Sequence, residues 1–212
     1  MSRYQNRYEI VDMDTWKRAE HCRNFRKYLN PEYRITVPMD ITNFRKAVRA
    51  KGWSMTLSMN YAVANCANEF EEFRYRFVDG EPVLFDKVDT AFTYLNKETE
   101  LFRTIIAPLT GSMEEYVANA TRLADAQDTY FQDVLPPDVV QLTAMPWFAY
   151  TQCSHADEGG ERIGIPLFEW GKFELREGRE IMPFTTHVHH SFVDAVHVGK
   201  LVNRLQEYLM SV

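Results

Sequence analysis

The sequence has few cysteines, no long apolar run and no concentrated basic segment. Its 212 residues include only three cysteines, Cys22, Cys66 and Cys153. An odd number at such wide spacing argues against a disulfide framework or a zinc site, and it suits a reducing cytoplasm. No apolar stretch approaches the roughly 20 residues of a membrane span, and the first ten residues lack the apolar core of a signal peptide. We therefore expect a cytoplasmic protein without a membrane partner.

Charge and composition indicate an ordinary globular chain. The net charge is −6, and the basic residues between positions 23 and 49 fall near helical spacing. They are better read as a solvated helix face than as a nucleic-acid surface, so no nucleic-acid partner is expected. Apolar residues make up 45% and aromatic residues 14%, which argues against disorder. Without repeats or long linkers, residues 1–212 are expected to form a single domain.

Hydrophobic periodicity predicts a mixture of helices and strands. Helical spacing and capping signals predict helices at 15–27, 42–51, 54–70, 112–132 and 195–209. Alternation and turn signals predict strands at 33–41, 73–77, 83–85, 91–95, 102–106, 147–152, 164–175 and 183–190. Because strands and helices do not alternate regularly, the pattern favours an α+β fold of two layers, with a large mixed β-sheet packed by helices.

The densest group of titratable side chains lies between the last predicted strand and the last helix. It contains His187, His189, His190 and, four residues further, Asp194. Histidine changes charge near neutral pH, so it is the usual general base. Three interpretations are open: hydrogen-bonded structural histidines before a capped helix, a metal site in which His187 and His189 chelate together, or a base histidine followed by a structural aspartate. No partner with zinc-like spacing supports the metal site.

Several segments resemble the chloramphenicol acetyltransferases, which share an HxxxD signature with the dihydrolipoyl acyltransferases. His190 to Asp194 fits that signature, and the stretch VHHSFVDAVHVGKLVNRLQEYL is similar to the C-terminal motif of the first family. Further similar segments are WKRAEH at 16–21, ETELF at 98–102, TAMPW at 143–147 and the strand at 166–173. Their order and spacing agree over nearly the whole chain. The resemblance therefore favours the third interpretation of the histidine tract.

The resemblance implies direct acetyl transfer with His190 as the general base. An alcohol is a poor nucleophile at neutral pH, so a base must take its proton. Thr143 stands where the family uses a serine hydroxyl to meet the oxyanion of the tetrahedral intermediate. Asp194 and Arg18 match a structural ion pair. Without the resemblance, Arg18 would be read as a solvated arginine on a helix surface.

The resemblance also implies the partners. The donor is acetyl-CoA, no metal is expected, and the acceptor is a small chloramphenicol-like alcohol. The family forms homotrimers with active sites between subunits. Trp147 and Lys172 match positions near the coenzyme. The positions that match the aromatic and apolar acceptor pocket are Phe25, Tyr33, Phe102, Phe131 and Leu167.

Three departures from the family pattern bear on the acceptor. Phe25 replaces the usual tyrosine, Tyr33 replaces the usual phenylalanine, and Glu169 replaces a threonine that helps to hold substrate. If Glu169 faces the pocket, it should disfavour a neutral apolar ligand. The leading hypothesis is acetylation of chloramphenicol, and the alternatives are acetylation of another hydroxylated small molecule or a non-catalytic ligand-binding trimer. A dihydrolipoyl acyltransferase core is less favoured because the chain lacks lipoyl and linker segments.

Overall fold

The computed structural model describes residues 4–131, 135–156 and 162–212. The strands are β1 (Tyr8–Ile10), β2 (Glu32–Asp40), β3 (Tyr75–Val78), β4 (Glu81–Phe85), β5 (Asp89–Leu95), β6 (Phe102–Ala107), β7 (Val139–Met145), β8 (Leu167–Gly171), β9 (Glu174–Arg176) and β10 (Arg179–His189). The helices are α1 (Ala19–Phe25), α2 (Thr42–Lys51), α3 (Met55–Asn68), α4 (Met113–Ala126) and α5 (Ala195–Ser211).

A large mixed sheet forms one layer of the fold. Its strand order is β2-β10-β8-β7-β5-β6, and β9 pairs with β10. The β5–β7 and β7–β8 pairs are parallel, and the other pairs are antiparallel. A smaller sheet has the order β1-β4-β3. The mixed sheet confirms the prediction made from the pattern of strands and helices.

The helices form the second layer. α3 is the most buried helix because apolar and small residues occupy most of its circumference, and it packs against α4, α5, β5 and β7. α5 buries one stripe of Val198, Leu201, Leu205 and Leu209, as its 3.6-residue spacing predicts. α1 lies beside the turn that joins β10 to α5, where the Ser191 hydroxyl donates to the Cys22 carbonyl over 3.3 Å.

Most predicted elements are confirmed, with close agreement at the turns. α2 spans 42–51 and ends at Gly52, whose φ of 70° places it in the left-handed region that glycine adopts readily. Asp79 and Gly80 both have positive φ and join β3 to β4 as a hairpin. The predicted capping box of α4 is present at Ser112 and Glu115.

Four predicted boundaries are wrong. The strand expected at 147–152 is irregular, and β7 instead precedes it and ends at Met145, before Pro146. The expected strand 164–175 is divided into β8 and β9, and α1 starts later than position 15. α4 ends at Ala126 because Gln127 has an extended backbone. Position 132, the predicted end of that helix, lies outside the described residues.

In the described part of the chain, no helix is long and apolar enough to cross a membrane.

Candidate active site

The histidine tract lies on an interior strand of the large sheet. β10 pairs with β2 on one side and β8 on the other, and His187 stands opposite Arg34 and Leu167. β10 ends at His189, and the chain then turns, with the Val193 N–H donating to the His189 carbonyl over 3.0 Å. His190 is therefore the first residue beyond the strand, at the start of the turn that leads into α5.

Arg18 holds this turn. Its guanidinium donates to both carboxylate oxygens of Asp194 over 2.6 Å, and to the carbonyls of His190 and Ser191 over 2.9 Å. Arg18 is only 8% exposed, so it is not a solvated arginine on a helix surface. The bonds from Arg18 lower the pKa of the Asp194 carboxyl, which partial burial alone would raise. The arginine thus fixes the backbone on which the His190 side chain is mounted.

The His190 ring is packed but reachable from solvent. It stacks on Phe25 with ring centroids 3.8 Å apart, and its backbone N–H donates to the Pro31 carbonyl over 2.9 Å. Its side chain is 34% exposed, and Nδ1 lies 3.0 Å from Asp194 Oδ1 without hydrogen-bond geometry. The imidazole is thus restrained by stacking and by its backbone, and it stays accessible to a ligand.

Two predicted acceptor-pocket residues flank His190. Phe25 covers one face of the ring, and the Tyr33 ring centroid lies 4.7 Å from the imidazole centroid. The Tyr33 hydroxyl is buried and has no hydrogen-bond partner among the described residues. Burial raises the pKa of this phenol to about 12, so it is protonated at neutral pH and can donate a hydrogen bond.

Thr143 lines a different region, a cavity of about 1420 Å³. Three other predicted residues, Phe102, Trp147 and Leu167, also line it. Its wall includes charged groups as well, among them Arg34 and Lys97. In the described residues, the lining contains neither His190 nor the two rings beside it. The predicted site residues therefore divide into a histidine group and a cavity group within one chain.

The remaining predicted coenzyme and pocket residues lie at the surface near the cavity. Trp147 follows β7 and is exposed, and Lys172 follows β8 and donates its backbone N–H to the Phe148 carbonyl over 2.9 Å. Phe131 is exposed and meets Phe102 edge to face, with ring centroids 5.6 Å apart. Lys172 and Phe131 are not part of the cavity lining; Phe131 packs against Phe102, which lines the cavity, and Lys172 bonds Phe148, the neighbour of Trp147 in the chain.

Glu169 does not face the cavity, although it lies beside Thr143 in the β7–β8 register. Its side chain is fully buried: Oε1 accepts from His187 Nε2 over 2.9 Å, and Oε2 contacts His155 Nε2. Burial opposes ionisation of Glu169, but hydrogen bonds from His155, His187 and Cys153 outweigh it and lower the pKa to about 2. The condition under which Glu169 was expected to disfavour an apolar ligand is therefore not met.

Sequence reasoning missed the contacts that surround Glu169, including the roles of Arg34 and His155. Arg34 Nε donates to His187 Nδ1 over 2.8 Å, so His187 carries its proton on Nε2 and donates it to Glu169. The register of β2 against β10 brings this arginine and histidine together, and no local sequence pattern predicts this contact. Cys153 and His155 belong to an irregular segment after β7, where periodicity carries no information.

Solved structures of acyltransferases share this fold. A chloramphenicol acetyltransferase structure is 29% identical and matches with a TM-score of 0.85, over 96% of this chain and all of that one. A probable dihydrolipoamide acetyltransferase from Listeria monocytogenes matches with a TM-score of 0.65 at 14% identity, over 91% of this chain and 89% of that one, which shows the fold alone. The fold is therefore that of a class of acyltransferases.

Sequence comparison gives the family. A family model described as "Chloramphenicol acetyltransferase" matches residues 6–206. Chloramphenicol acetyltransferase 2 of Escherichia coli is 29% identical over 200 residues, which cover 92% of this chain and 94% of that protein. The chloramphenicol acetyltransferase of Streptomyces acrimycini is 30% identical over 204 residues, covering 94% and 93%. The chain belongs to the chloramphenicol acetyltransferase family, and it is an acyltransferase.

Proposed function

We propose that the enzyme transfers the acetyl group of acetyl-CoA directly to a hydroxyl of chloramphenicol, with His190 as the general base. The observation that carries the proposal is the restrained and accessible His190 ring at a turn held by Arg18 and Asp194. It gains support from the relatives, which are named for acetylation of chloramphenicol. In this reaction the hydroxyl oxygen attacks the thioester carbonyl while His190 accepts its proton, and the coenzyme A thiol leaves.

The position of Asp194 favours the protonation state that a base needs. Asp194 Oδ1 lies 3.0 Å from Nδ1, and although the two atoms lack hydrogen-bond geometry, the negative charge of the carboxylate favours a proton on that nitrogen. Nε2 then keeps its lone pair and can accept the proton of the substrate hydroxyl. Asp194 itself stays ionised because Arg18 lowers its pKa. In this proposal Arg18 and Asp194 are positioning residues, since they act on His190 and do not touch the substrate.

Thr143 is proposed to stabilise the tetrahedral intermediate. Its hydroxyl lies on the wall of the large cavity and can donate to the oxyanion. The added methyl group, relative to serine, restricts χ1 and leaves the hydroxyl in place. Trp147 and Lys172, on the loop after β7 and the end of β8, are proposed to contact acetyl-CoA near the same cavity.

The division of the site residues supports an active site between subunits. His190 and Thr143 must act on one intermediate, yet in one chain Thr143 lines the cavity and His190 does not. A homotrimer resolves this if the His190 group of one subunit faces the cavity group of its neighbour. In a cyclic trimer such contacts are heterologous and close into a ring, which gives three equal sites.

A second candidate exists for the acceptor substrate. Around His190, Phe25 has no hydroxyl whereas Tyr33 has a buried and unpartnered one, so the hydroxyl beside the base stands at a different position. Arg34 and Lys97 on the cavity wall would also suit a more polar alcohol than chloramphenicol. A related O-acetyltransferase acting on another hydroxylated small molecule is therefore the alternative.

A cytoplasmic location completes the proposal. Cys22, Cys66 and Cys153 are free thiols, which persist in a reducing compartment.

The first experiment is a thiol-release assay with acetyl-CoA and chloramphenicol. Wild type should release coenzyme A, and His190→Ala should lose about 10²–10⁴-fold in kcat, the usual contribution of a general base. His21→Ala is the matched control because His21 is exposed and lies outside both groups. No release with chloramphenicol, beside good turnover of another alcohol, would move the function to the alternative. Equal rates for wild type and His190→Ala would overturn the mechanism.

A second experiment tests the site between subunits. His190→Ala and Thr143→Ala variants are mixed, denatured and refolded together in equal amounts. If each site takes the two groups from neighbouring subunits, each hybrid trimer has one site with both native groups, which is about a quarter of all sites in the refolded mixture. Activity in the mixture well above that of either variant is expected. A mixture no more active than the separate variants, in a sample whose mass shows trimers, would contradict the shared site.

A further inference from the structure

A cluster of metal-binding side chain types lies beside β8. Cys153, His155 and Glu169 each present a ligand atom, and these atoms lie within 4.8 Å of one another. Two of the three come from the irregular segment after β7, and the third comes from the strand. The direct contact between His155 Nε2 and a Glu169 oxygen shows that the two groups already converge on one point.

The donor types fit a transition metal of the zinc class. Thiolate, imidazole and carboxylate are the ligands that Zn²⁺ takes, with bonds of about 2.0–2.3 Å in tetrahedral geometry. Such bonds place neighbouring ligand atoms roughly 3.3–3.8 Å apart, so small side-chain movements would admit an ion. The oxygen-only ligand sets that Mg²⁺ and Ca²⁺ prefer do not match a site with a cysteine and a histidine.

The groups behind the cluster resemble the outer shell of a metal site. Glu169 Oε1 accepts from His187, which leaves Oε2 on the side of His155. Arg34 in turn donates to His187 Nδ1 over 2.8 Å and fixes its tautomer. Hydrogen bonds of this kind orient ligating carboxylates.

The approach to the cluster is open to solvent. The His155 side chain is 39% exposed and lines the large cavity, and Cys153 is half-buried. An ion could therefore enter from the cavity, and a water molecule could complete its coordination. Cysteine binds a metal ion as its thiolate, so binding of an ion would release the thiol proton of Cys153.

We propose that Cys153, His155 and Glu169 form a binding site for a zinc-class divalent ion. On binding, the Cys153 thiol releases its proton to solvent, any proton on the ligating nitrogen of His155 leaves as well, and the thiolate, neutral imidazole and carboxylate donate to the ion. The ion fastens the 153–155 segment to β8, in the wall of the cavity that Thr143 lines. The sequence-based expectation of no metal rested on the number and wide spacing of the cysteines and on His187 with His189. In the structure His189 Nδ1 instead accepts the Ser191 N–H over 3.1 Å.

Cobalt titration of the metal-free protein tests the proposal. Co²⁺ substitutes for Zn²⁺ and gives a sulfur-to-metal charge-transfer absorption when a thiolate binds it. Wild type should take up one Co²⁺ per chain with that absorption and release a proton. Cys153→Ser should lose the absorption, and His155→Gln should weaken binding beyond the about 10–100-fold that loss of an outer partner costs. His21→Gln, at another exposed histidine, should bind as wild type does.

Three outcomes would overturn the site. They are no saturable Co²⁺ uptake by wild type, uptake without the thiolate absorption, and uptake unchanged in both Cys153→Ser and His155→Gln. Both substitutions are at solvent-accessible positions, and thermal unfolding of each variant without metal checks that its fold is intact. A Zn²⁺-dependent rise in Tm for wild type that Cys153→Ser abolishes is the second expected result.

Discussion

The Arg18–Asp194 pair offers the sharpest test of how the turn beneath His190 is held. In an Arg18→Met variant, Asp194 loses both of its short bonds, and two backbone carbonyls lose a donor. Removing one partner of a buried pair costs about 3–5 kcal/mol because the other charge is left uncompensated. The Asp194 side chain is 28% exposed, so water can partly replace the arginine, and we expect a loss near 3 kcal/mol, the lower end of that range.

The assay is thermal and urea unfolding at one fixed protein concentration. For a chain of this length, a loss of about 3 kcal/mol lowers Tm by roughly 6–12 °C. Activity should fall as well, even at temperatures where the variant is folded, because the backbone of His190 loses its anchor. A falling kcat with little change in KM for acetyl-CoA would mark a positioning role.

Arg204→Met is the matched control. Arg204 makes the same two-pronged contact with Glu69, over 2.7 and 2.8 Å, but both side chains are more than a third exposed. Such surface pairs contribute about 0–1 kcal/mol. If Arg18→Met and Arg204→Met lowered Tm equally, burial would not be the reason that the Arg18 pair stabilises the fold, and the reasoning would be refuted.

Three further predictions concern the site. Thr143→Ala should lower kcat by about 10²–10³-fold, as loss of an oxyanion donor does, and Thr143→Ser should retain activity. Steady-state assays test this prediction, and equal rates for Thr143→Ala and wild type would remove this residue from the mechanism. Tyr33→Phe should raise KM for the acceptor roughly two- to tenfold without lowering Tm, because the lost hydroxyl bonds no described residue; a lower Tm with unchanged KM would contradict this. The lowered pKa of Glu169, about 2 against 4.5, contributes roughly 3 kcal/mol of stability that is present above pH 4.5 and is lost as the pH falls towards 2. The raised pKa of His155 adds stability that is present below its ordinary 6.5 and is lost as the pH rises through the raised value. Urea unfolding from pH 3 to 8 should therefore show a shallower acid limb for Glu169→Gln, and an unchanged limb would refute the assignment.

The fold was largely predictable because its elements carry local signals. The alternation along β2, the left-handed glycine after α2 and the capping box of α4 are properties of neighbouring residues. β7 was missed because its identity depends on its position between two parallel strands in the sheet, and not on alternation. The smaller sheet was only partly foreseen, since the three residues of β1 carry too little pattern to predict a strand.

The histidine group was predictable only through family resemblance. Periodicity places His187 and His189 on one face of a strand, but it does not distinguish them from His190 as a base. The role of Glu169 could not be deduced, because its charge is compensated by residues 14 and 18 positions away in the chain, His155 and His187. Its orientation depends on packing across three strands and a loop, and no sequence window contains that information.

The contact between Arg18 and Asp194 joins residues 176 positions apart. During synthesis Arg18 leaves the ribosome long before the segment that contains His190 and Asp194. Arg18 therefore lacks its partner Asp194 while almost the whole sheet is synthesised. A chain that lacks either residue cannot form this anchor for the backbone of His190, because the anchor joins Arg18 to Asp194. Recovery of activity in a refolding experiment requires this long-range contact, and it should therefore lag behind the recovery of secondary structure.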